Sequence, residues 1–168
     1  MLKVINNPDG SLTIKEVSNV SRETLADFME RYEGTHEYNG IVAECQKWYY
    51  GSLVKASWCA TWVSYSLAQM GLLASTMGSK HENVYNMYLE LSKRSRGVSV
   101  AEIKRGDIII LKFEQDFSWN TKKHVTVAAE DYNESGLLKC IGGNQDDSIC
   151  TKMYSAGDIV AAFRPAYA

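Results

Sequence analysis

The chain has 168 residues, of which 45% are hydrophobic and 23% charged, with a formal net charge of -2. That is the composition of a globular protein with a substantial core, and the near-neutral charge offers no basic field to nucleic acid or to an anionic lipid surface. No apolar run approaches the roughly 20 residues needed to cross a bilayer. The opening "MLKVINNPDGSLTIKEV" lacks a basic region followed by a long apolar stretch, so synthesis in a reducing cytoplasm without a signal peptide is expected. Four cysteines, Cys45, Cys59, Cys140 and Cys150, are too few and too scattered for a disulfide framework. With only His36, His81 and His124, and no Cys-x-x-Cys or His-Glu-x-x-His, a structural zinc site is not expected either.

In chain order, "LKVINNPDGSLTIKEV" reads as two short alternating strands around an Asn-Pro-Asp-Gly turn. Ser21 and Thr24 open a helix in which Leu25, Phe28, Met29 and Tyr32 recur at helical spacing before Gly34. "GIVAECQKWYYG" is a second helix, with Ile41, Cys45 and Trp48 on one side and Gly51 as its stop. The best helix follows Ser57, a plausible N-cap, with Ala60, Val63, Leu67 and Met70 on one stripe and Gly71 at its end. "HENVYNMYLELSKRS" gives another through Val84, Met87, Tyr88 and Leu91. The period then shortens: "GDIIILKF", "HVTVAAE", "GLLKCIGG" and "DIVAAFRP" are strand-like runs separated by Gly, Asp and Asn. Helices first and strands second predict an α+β fold with a mainly antiparallel sheet. Neither a phosphate-binding loop nor a dinucleotide fingerprint is present.

Cys59 stands at the first turn of the best helix, where unsatisfied N–H groups and the macrodipole favour a thiolate. An isolated cysteine in apolar surroundings is ordinarily an inert core residue, so a catalytic reading needs an imidazole and a group that orients it. His124 begins an alternating strand, sharing a face with Thr126 and Ala128. A hairpin centred near Asn133 or Glu134 sets the segment Gly142 to Asn144 across from it. Asn144 is then a natural orienting partner, its side-chain oxygen accepting the Nδ1–H of the ring. "GGNQDD" also reads simply as a turn, and both readings are compatible.

Trp-Cys-Ala before a helix, Gly-Asp-Ile opening a strand in "RGDIIIL", a later His-Val strand start and then "GGNQ" resemble the CHAP amidase/peptidase family. This is a papain-like group related to the NlpC/P60 cell-wall hydrolases and found in many phage endolysins. The resemblance spans about 37–165, with 1–20 as an N-terminal hairpin extension to a single catalytic domain of 1–168. It implies a papain-like fold with N-terminal helices packed on the sheet. It further implies Cys59 as nucleophile, His124 as general base and then acid, and Asn144 as the orienting residue. A glutamate that some relatives carry two residues before the asparagine is Gly142 here, and the glutamine six residues before the nucleophile in papain is Leu53. The backbone N–H of Cys59 supplies one oxyanion donor, and the second has no assignment.

The implied activity is hydrolysis of a peptidoglycan amide, as an endopeptidase or an N-acetylmuramoyl-L-alanine amidase, in a phage endolysin or related lytic enzyme. Trp58, Trp119 and Gln145 are candidates for lining the substrate groove. No cofactor or metal is expected. The expected partner is bacterial peptidoglycan, reached by a monomer after release or delivery, rather than nucleic acid or a membrane. Two alternatives share the same residues: a papain-like protease or effector acting on proteins, and a non-catalytic phage structural module that retains the fold.

Overall fold

The structure, a computed structural model, describes residues 23–112 and 123–167 in full and the backbone of 2–6 and 12–16. The N-terminal strands β1 (Leu2–Asn6) and β2 (Leu12–Glu16) pair antiparallel as the alternation predicts, Leu2 facing Glu16 and Asn6 facing Leu12.

With Ser21 outside the described residues, helix α1 (Leu25–Glu30) is started by Thr24. Its hydroxyl accepts from the Asp27 N–H while the Asp27 carboxylate accepts from the Thr24 N–H, a reciprocal cap that satisfies two orphan donors. Helix α2 (Gly40–Tyr50) ends at Gly51, whose φ of 79° lets its N–H reach back to the Lys47 carbonyl. Helix α3 (Cys59–Gln69) departs from the expected single stripe: every residue from Cys59 to Leu67 is buried. It is the central rod of the molecule, covered by α1 and α2 on one side and by strands on the other. Trp62 stacks on Tyr65 and meets Tyr32 edge-on, with ring centroids at 5.8 and 6.1 Å. Two of the helix's buried hydroxyls are satisfied: Ser66 donates to the Trp62 carbonyl, and Ser64 donates to the His81 carbonyl and accepts from the His81 N–H. A short helix α4 (Leu73–Met77), absent from the sequence reading, leads to α5 (Val84–Arg94), which buries Met87 and Leu91 and is capped by Asn83.

The remaining strands form one antiparallel sheet in the order β3-β8-β4-β5-β6-β7. They are β3 (Arg96–Gly97), β4 (Ile108–Lys112), β5 (Lys123–Ala128), β6 (Leu137–Gln145), β7 (Ser148–Ser155) and β8 (Ile159–Arg164). The fold is thus α+β, with five helices and a six-stranded antiparallel sheet among the described residues. Ile108, Ile110, Val125, Val127, Ile141 and Phe163 join the helices in the main core. On the other face Ile109, Leu111, Ala128, Leu138, Cys140 and Ala162 form a second cluster, closed by Ile103 and flanked by Tyr132, Tyr154 and Ile159. Burial on both faces explains why "DIIIL" is a continuous apolar run rather than an alternating one.

The Gly-Asp pair that opens β4 has a structural task. Asp107, 1% exposed, accepts on its carboxylate from Nε and Nη2 of Arg164 and from the N–H of Lys104. Next to it, Arg105 clasps Asp27 and Glu30 of α1 and donates to the Ala129 carbonyl, tying the first helix to the sheet.

Candidate active site

Cys59 is the first residue of α3, and the residue before it, Trp58, occupies the N-cap position without making a side-chain cap. Ser57, the expected cap, is exposed and makes no cap bond. The reason lies in Trp58, whose side chain is fully buried against β6 and fixes the chain's entry into the helix. Hydrogen bonding from the backbone N–H groups of Val125 in β5, of Ala60 and of Cys59 itself favours the thiolate there. Burial pushes the thiol above its ordinary pKa, and these three donors oppose that push. Cys59 therefore rests as a thiol, contrary to what the helix terminus alone suggests.

His124 precedes Val125, so the residue whose amide meets the sulfur is the neighbour of the candidate base. The imidazole is 3% exposed, and its Nε2 lies 2.9 Å from Gln145 Oε1. The orientation of the Gln145 amide is fixed from its other end, where Nε2 donates to the Cys150 carbonyl. A carbonyl only accepts, so the Gln145 amide nitrogen must face Cys150 and its oxygen must face the ring. His124 Nε2 consequently carries the proton, and Nδ1 is the lone-pair nitrogen. Burial lowers the His124 pKa, the hydrogen bond to Gln145 opposes this, and the charge of Lys152 adds to the lowering.

The amide hydrogen-bonded to the imidazole is thus that of Gln145 rather than the expected Asn144, and it binds Nε2 rather than Nδ1. The hairpin register itself agrees with expectation: Val127 faces Ile141 and Ala128 faces Cys140, which extrapolates to residue 144 opposite His124. What intervenes is a bulge. In β6–β7 pairing Gly142 faces Cys150 but Gln145 faces Ser148, so Gly143 and Asn144 together oppose Ile149. Asn144 absorbs the extra residue at φ 56°, and Gln145 swings onto the face that Asn144 would have held. Asp146 and Asp147, both at φ 54°, then make the tight two-residue turn. The Asp-Asp turn is legible in the sequence, but the bulge just before it, which brings Gln145 to the ring, is not.

The two glycines before it are set by close approach. A Cβ on Gly143 would sit 2.5 Å from the Trp58 ring, and one on Gly142 would sit 2.5 Å from Thr126 Oγ1. A glutamate side chain has no room at Gly142. Trp58, at 0% exposure, is a packing residue beneath Gly143 and not part of a groove surface. Trp119 lies outside the described residues. Gln145, 2% exposed, belongs to the imidazole's support rather than to a groove wall.

A residue that the sequence reading passed over completes the cluster. Tyr154 of β7 donates its hydroxyl to Gln145 Oε1 at 3.0 Å, and its ring centroid is 6.0 Å from that of His124. Burial raises its pKa, with Cys140, Cys150, Asp146 and Cys59 adding to the effect, so the phenol keeps its proton. The other histidines are engaged elsewhere: His36 forms a β-bridge with Ser148, and His81 is tied to Ser64. All four cysteines are free thiols. Among the described residues no helix is long and apolar enough to cross a membrane.

Compared with protein-family models, with curated proteins and with solved structures, the chain matches none.

Proposed function

We propose that the protein is a cysteine hydrolase of papain-like fold that cleaves an amide bond in bacterial peptidoglycan, with Cys59 as nucleophile and His124 as base. The observation that carries this reading is the buried His124–Gln145 pair, which holds the imidazole as the Nε2–H tautomer beside the strand backbone that touches the Cys59 sulfur. A structural histidine needs only a satisfied polar atom. A general base needs a fixed tautomer and a ring nitrogen with a lone pair, which this arrangement provides.

In the proposed reaction Nδ1 of His124 takes the thiol proton as Cys59 Sγ attacks the substrate carbonyl. The N–H groups at the helix start stabilise the negative charge that develops there. The imidazolium returns its proton to the leaving amine, and water, deprotonated by the same ring, releases the acyl group from sulfur. Because both residues rest neutral, the proton moves together with the attack rather than before it.

Burial of the pair, with Cys59 6% and His124 3% exposed, is the one feature that favours the reading as a non-catalytic module. Purified bacterial cell walls separate the two. The wild type is expected to lower wall turbidity and release new amino or carboxyl termini, and Cys59→Ala to abolish both. Equal lysis by the alanine variant rules out the thiol mechanism, and no release by a folded wild type favours the module.

A further inference from the structure

We propose that Tyr154 is a positioning residue that sets the tautomer of His124 through the side chain of Gln145. Its consequence for catalysis rests on the hydrolase reading above; the tautomer effect itself does not.

Gln145 Oε1 has two lone pairs and two donors, His124 Nε2 at 2.9 Å and the Tyr154 hydroxyl at 3.0 Å. The amide nitrogen is held by the Cys150 carbonyl. The main chain of Gln145 is pinned as well, its carbonyl accepting from Ser148 Oγ and Cys150 Sγ. With every polar atom of a 2% exposed amide engaged, one orientation is favoured. Removing the phenol O–H leaves one carbonyl lone pair buried without a donor, which weakens the preference for that orientation. An amide rotated by half a turn would present NH2 to the ring. Nε2 would then accept, the proton would move to Nδ1, and the ring would lose its lone pair on the nitrogen that serves the thiol. Tyr154 is suited to the task because the phenol is an obligate donor here: its only described side-chain hydrogen bond is to a carbonyl oxygen.

The experiment is nitrogen-15 NMR of the imidazoles in the full chain, with the His124 signals assigned by their loss in His124→Gln. The wild type is expected to show a pure Nε2–H tautomer, and Tyr154→Phe a spectrum shifted towards a mixture. On purified cell walls Tyr154→Phe is expected to lower kcat about tenfold, the worth of one buried hydrogen bond, with KM unchanged. If the phenylalanine variant does not fold, 3-fluorotyrosine at position 154 keeps the hydroxyl, alters its donor strength and is expected to move the His124 Nε2 shift. A His124 spectrum identical to wild type in a folded Tyr154→Phe, or in the fluorotyrosine protein where phenylalanine fails, overturns the proposal. A tautomer change in a protein that releases nothing from cell walls upholds the positioning role and discards the hydrolase reading instead.

Discussion

At the scale of single residues, the site turns on which of two neighbouring amides meets the imidazole. Asn144 and Gln145 carry the same functional group one methylene apart, but only Gln145 Oε1 reaches His124 Nε2. Asn144 instead supplies the left-handed backbone of the bulge, a conformation that asparagine tolerates and glycine adopts freely. Gln145→Ala is therefore expected to cut the rate of cell-wall hydrolysis about 100-fold, in the range for a mispositioned general base, whereas Asn144→Gly stays within a few-fold of wild type. Turnover of both variants on the same walls checks this. The reverse ranking would return the orienting role to Asn144.

At the scale of elements, α3 and the end of β6 are held at contact distance, and the Gly142-Gly143 pair permits it. An alanine methyl at Gly143 would press into the Trp58 ring and the Trp62 Cβ, at 2.5 and 2.9 Å. Trp58 is also what fixes the entry of α3 and so the direction of the amides that reach the Cys59 sulfur. Gly143→Ala is expected to cost about 2 kcal/mol by overpacking, read as a lowered urea midpoint, and to slow alkylation of Cys59 by iodoacetamide in the folded protein. Gly97→Ala, where a Cβ has nothing within 4 Å, is the control and should change little. Equal stability of the two variants would show that helix and strand are not locked together here.

At the scale of the whole molecule, burial of uncharged titratable groups shapes the dependence of stability on pH. Burial pushes the thiol of Cys45 up to about 12 and raises Cys59 and Cys140 as well. The unfolded chain ionises its thiols from about pH 8.5, so above that point it binds fewer protons than the folded state and stability falls as pH rises. His124 acts from the acid side. Its folded pKa is lowered, so below about 6.5 the unfolded chain takes a proton that the fold resists. Stability should then be highest between roughly pH 6.5 and 8.5, with urea midpoints declining on both sides. His124→Gln should flatten the decline just below pH 6.5. A wild-type midpoint that stays constant from pH 8.5 to 10 would contradict the burial of the thiols.

The α+β succession, the stops of α2 and α3 at Gly51 and Gly71, the hairpin register of β5 on β6, and Cys59 and His124 as the pair to examine are all legible in the sequence, whereas α1 ends at Glu30, ahead of the expected Gly34. The legible features follow from local causes: periodicity of 3.6 or 2, glycine at a left-handed stop, and short hairpin connections. The sequence did not determine the cap of α3, because Ser57 loses to Trp58 through burial against Gly143, a strand more than 80 residues away in the chain. Nor could it reveal β7, an edge strand in which only Ser148 and Ile149 are buried and which lacks a clear alternation of apolar residues. Tertiary structure alone decided the orienting residue. One extra residue in β6 reverses the side-chain alternation, and period-2 counting carries no information about where a bulge falls. For the same reason Tyr154 was invisible: its partner Gln145 lies on another strand, and only the bulge turns that amide towards both the phenol and the imidazole.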